Sequence, residues 1–91
     1  MNRKEILEAV AKTICVDRQD AYGRPEDSFA KIASFWGTYL ETEVSAKDVA
    51  VMMCLLKIAR IRTGAHKDDN YIDLAGYAAC GAEIAGRKSN E

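Results

Sequence analysis

The chain has 91 residues, 48% of them hydrophobic, with 13 basic and 14 acidic side chains dispersed along its length. This balance fits one small globular domain, 1–91, and the net charge of −1 offers no basic face for nucleic acid or an anionic membrane. The longest uncharged runs, 49–56 and 74–82, fall far short of the roughly 20 apolar residues that cross a bilayer.

The N-terminal stretch MNRKEILEAVAK alternates charge with apolar residues and does not read as a signal peptide. Ile6, Leu7, Val10, Ala11 and Ile14 line one face, which predicts a first helix over 4–16. The following DRQDAYGR, 17–24, breaks that pattern and contains Gly23, so a loop is expected. Pro25 suits the first position of a second helix, 25–41, because its missing N–H is not needed there. Glu26 and Asp27 favour the positive end of that helix dipole. Phe29, Ile32, Ala33, Trp36 and Leu40 then follow at helical spacing and are expected in the core.

Ser45 begins S-A-K-D, a capping box in which hydroxyl and carboxylate satisfy free backbone donors, opening a third helix over 45–63. Gly64 is expected to stop it as a left-handed cap. A fourth helix, 68–86, starts at the Asp68–Asp69 pair, and GRKSNE is expected as a frayed tail. The fold class is therefore all-α, a four-helix bundle-like domain. Cys15, Cys54 and Cys80 are widely spaced with no C-x-x-C pair, so they are expected as reduced, core-filling thiols in a cytoplasmic protein.

No charge falls between Asp48 and Lys57, nor between Asp73 and Glu83. Helices apolar all round are buried, and two in so short a chain predict a homodimer or higher homo-oligomer built through the third and fourth helices. Small residues such as Gly76, Ala79 and Gly81 are expected to let another helix approach closely.

The charges bordering that apolar pair are the first candidate site. Pairing the helices about their short loop brings Arg60 level with Asp73, with Lys57 one turn deeper beside Tyr77. Asp69, Asp73 and Tyr77 are four apart and share a face. One reading is an internal ion pair, with Arg60 or Lys57 neutralising Asp73. The other is a ligand site: Asp69 and Asp73 on a divalent cation, Mg²⁺ or Mn²⁺ by the chemistry of its oxygen ligands, Asn70 nearby, and Lys57 and Arg60 on phosphate, with Lys67 a further candidate there. A second candidate is the 17–24 segment, where Tyr22 would stack on a base with Asp17 and Arg18 completing the site. His66 reads as a solvated loop residue.

Together, DRQDAYGRPEDSF, the Trp36 helix, DVAVMMCLLKIARI and HKDDNYIDLAGYAA resemble a family of small all-helical proteins of bacteriophages and prophages whose function is unknown. A more distant similarity is to MazG-type all-α nucleoside triphosphate pyrophosphohydrolases, which are helical oligomers. These hold Mg²⁺ with an E-x-x-E pair and an E-x-x-D pair. Asn70 and Asp73, with Asp69 one residue earlier, correspond loosely to the second pair, and the only E-x-x-E is Glu5 to Glu8. The resemblance implies a Mg-dependent protein that binds or hydrolyses NTP or dNTP. The alternative is a non-enzymatic phage accessory or protein-interaction module whose buried charges are structural.

Overall fold

The structure, a computed structural model, describes the backbone of residues 1–90 and the side chains of residues 1–87. Among the described residues every regular element is a helix, with no strand. The elements are α1 (Arg3–Lys12), a π-helical turn (Thr13–Asp17), α2 (Arg18–Tyr22), α3 (Pro25–Leu40), α4 (Ala46–Thr63) and α5 (Asp68–Asn90). No helix among the described residues is long and apolar enough to cross a membrane.

Local chemistry sets the helix starts. Asn2 caps α1 by accepting from the Glu5 N–H at 2.9 Å while Glu5 accepts from the Asn2 N–H, also at 2.9 Å. Ser45 and Asp48 make the same reciprocal pair at the start of α4, each bond 3.0 Å. Arg24 is extended before Pro25, as a residue preceding proline must be, and α3 begins there.

The helix ends depart from expectation in instructive ways. The segment 17–24 is not a loop. The backbone stays helical through the π turn and α2, and stops only at Gly23. Nothing between Thr13 and Tyr22 is a glycine or proline, so nothing breaks the helix. A π turn holds one more residue than an α turn, which rotates everything after it about the axis and makes the apolar pattern lapse. Gly64 caps α4 in an extended conformation, φ −105°, not a left-handed one. A Cβ there would sit a tight 3.2 Å from the Arg60 carbonyl oxygen. The left-handed cap belongs instead to Glu41, φ 56°, at the end of α3. At the C-terminus α5 runs through Gly86 to Asn90, so the expected frayed tail is helical that far; Glu91 lies outside the described residues.

The α4–α5 hairpin is the spine, with α1 lying against α5 and α3 against α4. Val49 and Ala50 are wholly buried, joined in the core by Val10, Ala33, Ile72, Cys80 and Ile84. Two glycines of α5 serve contacts within the chain. A Cβ on Gly81 would stand 3.1 Å from Ala50 Cβ, and one on Gly76 would stand 2.8 Å from Ile14 Cγ2. On the first helix Ile6, Val10 and Ile14 face inward while Leu7 is 64% exposed. Cysteine placement is mixed. Burial raises the Cys80 and Cys54 thiols above their ordinary range, but Cys15 is exposed and is not core filler.

Candidate functional site

A cleft of about 230 Å³ opens between the π turn with α2 on one side and the α3–α5 contact on the other. Its walls are apolar and aromatic, including Ile14, Phe29, Ile72 and Tyr77. The rings of Phe29 and Tyr77 lie 6.1 Å apart, inclined at 39°. At its mouth stand Arg18, Gln19 and Tyr22, and Tyr22 is 67% exposed. Asp73 is the acidic residue of the lining.

Asp73 is paired with Lys57, not Arg60. Lys57 Nζ lies 2.9 Å from Asp73 Oδ2, and the two side chains are only 11% and 21% exposed. The reason is rotation about the α4 axis. Ala50, Met53, Lys57 and Ile61 recur at three- and four-residue spacing along the inward stripe, whereas Arg60 falls at the edge and is exposed. An ammonium on a four-carbon stem reaches the carboxylate from within the apolar layer.

The two candidate segments thus converge. Arg18 and Tyr22 from one, and Asp73 from the other, line the same cleft, with Lys57 holding Asp73. The remaining candidates stand apart from it. Asp69 is exposed one turn before Asp73, Asn70 is half-buried, and neither is part of the lining. Asp17 is exposed on the π turn, with Lys12 Nζ at 3.9 Å. His66 is exposed in its loop and shares a 2.9 Å hydrogen bond with Asp68, which draws the Asp68 carboxyl below its ordinary value. Glu5 and Glu8 are exposed on α1, and Glu5 is occupied in capping its own helix. Among the described residues no three His, Cys, Asp or Glu gather into a metal cluster.

Sequence reasoning overlooked Tyr77, Phe29 and Gln19 as site residues. Phe29 and Tyr77 occupy core-like helix positions, and only the packing shows that their ring faces border open space. Tyr77 could have been found from its place on the face of Asp69 and Asp73; nothing in the sequence marks Phe29 or Gln19.

A family described as a domain of unknown function (DUF6378) matches residues 5–85 of the chain. Over 78 residues, 85% of the chain, it is 45% identical to the Gene 55 protein of Mycobacterium phage D29. Over 74 residues, 80% of the chain, it is 40% identical to the Gene 55 protein of Mycobacterium phage L5. The chain spans about half the length of these relatives, 51% and 47% respectively. No solved structure matches it.

Proposed function

The chain belongs to the DUF6378 family, and from that premise we propose that its cleft binds a nucleotide or a closely similar phosphorylated small molecule. One observation carries the reading: Arg18 and Tyr22, far from Asp73 in sequence, meet it around a single apolar, aromatic-walled recess. At about 230 Å³ the recess is smaller than the roughly 300–1,000 Å³ sites that engulf a drug-sized ligand. It suits a planar base or nucleoside, with phosphates left at the open mouth. Tyr22 stacks on the inserted ring there, and the Arg18 guanidinium takes phosphate oxygens in its planar fork. Asp73, held by Lys57 through one carboxylate oxygen, offers the other to an amino or hydroxyl donor of the ligand.

Asp73 and Asp69 lie on one face of α5, and one or two carboxylates are what Mg²⁺ takes from a protein when phosphate oxygens and waters complete its shell. Asp69, however, stands outside the cleft lining and Asp73 is engaged by Lys57 and the inserted ring, so a cation would come in on the phosphates at the mouth, its shell made by phosphate oxygens and waters. The bound ion would neutralise phosphate charge. With Glu5 and Glu8 exposed and distant in the chain, we derive binding from these residues and no hydrolytic step.

A thermal-shift screen of nucleoside and deoxynucleoside triphosphates, with and without Mg²⁺, tests the reading. A ligand at a hundred times its Kd stabilises by about 2.7 kcal/mol, a rise of several degrees in Tm for a domain of this size. The expected result is a Mg-dependent rise that Asp73→Asn and Arg18→Ala abolish. Absence of a shift with every nucleotide would remove the proposal.

A further inference from the structure

Helix α4 is apolar on both sides, yet only Val49 and Ala50 on it are fully buried. Its outward face carries Val51 at 50% exposure, Leu55 at 60% and Ile58 at 49%, flanked by exposed Met52 and Ala59. The spacing of 51, 55, 58 and then Arg62 is four, three and four, the 3.5-residue repeat that seats one helix along another. We propose that a second copy of this chain covers the face, α4 against α4, antiparallel about a two-fold axis at Leu55. This goes beyond the cleft, which lies on the other side of α4, where Met53 lines it.

Two observations favour a second copy over another occupant. The first is area. The chain exposes 6,569 Å², whereas a folded monomer of its 10.0 kDa mass exposes roughly 5,200 Å². The excess, roughly 1,300 Å² over the whole chain, exceeds the ~800 Å² that each partner buries in a standard dimer. The second is self-complementarity. About Leu55 the row reads acid, apolar, Leu55, apolar, base, from Asp48 to Arg62. Reversed upon itself, position 48 meets 62, 51 meets 59 and 52 meets 58. Each acidic N-terminal end then faces a basic C-terminal end, and the helix dipoles oppose. The Asp48 carboxylate keeps its capping bond to Ser45 in this arrangement.

Sedimentation equilibrium of the full chain between about 10 and 200 µM is expected to give twice the chain mass. Leu55→Asp is expected to give the chain mass with helicity retained, since Leu55 is exposed within the single chain. Wild type at the chain mass throughout would overturn the proposal, and would leave the face to a segment such as the longer relatives carry. A Leu55→Asp protein that stays dimeric would overturn it as well. A cross-linking series covers the case in which Leu55→Asp does not fold. In a Cys15→Ser, Cys54→Ser background, Leu55→Cys should link to itself through a short bis-maleimide, and Val51→Cys should link to Ala59→Cys in a mixture but not to itself. No link at Leu55→Cys, or self-linking at Val51→Cys, contradicts the antiparallel pair.

Discussion

Asp73 shows how much a single carboxylate can hold together. Its partner Lys57 is nearly buried at 2.9 Å, so removing the ammonium strands a charge in an apolar layer. Lys57→Met is expected to cost about 2–3 kcal/mol, below the ~3–5 kcal/mol of a fully buried pair because both groups retain some exposure. Lys57→Met combined with Asp73→Leu should recover most of that loss in urea melts; a double variant as unstable as the single one would show that the charge pair is not the cause. A second clamp joins the start of α3 to α5: Arg24 donates to Glu26 at 2.6 Å, and Arg87 pairs with both Glu26 and Glu83. Burial alone raises the Glu26 carboxyl, but the Arg24 hydrogen bond and the Arg87 and Arg24 charges outweigh it and hold the group below its ordinary 4.5. Because the folded value is the lower one, the clamp's stabilisation is complete above 4.5 and is lost as pH falls through the folded value. The stability gap between wild type and Glu26→Gln should therefore shrink from about pH 6 to about pH 3. A constant gap would mean that Glu26 acts by packing. That Asp73 needs a cation was legible from the sequence; which cation was not. Lys57 and Arg60 are three residues apart, and only the rotation of α4 separates them.

At the scale of the element, caps were readable and terminations were not. The Ser45–Asp48 box and Pro25 at the start of α3 are local chemistry within four residues, and both stand as expected. The π turn is not local in that sense. It places Ile14 against Gly76 and turns Arg18 and Tyr22 toward the cleft, so its justification lies on α5. Single π turns inside helices are often found beside functional sites, and this one borders the proposed pocket. Gly23 ends α2 at φ 78°, ψ −159°, a region that essentially only glycine occupies. A Cβ there would meet nothing within 4 Å. Gly23→Ala should therefore cost about 1–3 kcal/mol through backbone strain alone. Chemical denaturation would read that loss, and an unchanged midpoint would show that the chain relaxes at this turn without penalty.

For the whole molecule, the deciding quantity is apolar surface. Among the described residues, seven buried apolar side chains form a narrow core running through the α4–α5 hairpin, while the outer side of α4 remains open. The charge-free run that follows Asp48 is the counterpart of this excess in the sequence, and it is why a second copy is expected. The chain alone determined an all-α fold, because helix periodicity, capping boxes and the absence of breakers act over a few residues. It also marked both segments that build the cleft. Tertiary structure decided that the two segments share one cleft, that Lys57 rather than Arg60 faces Asp73, and which side of α4 stays uncovered. Each of these depends on how far a helix is rotated about its own axis. That rotation is set by contacts such as Gly76 with Ile14 and Gly81 with Ala50, between residues far apart in the chain.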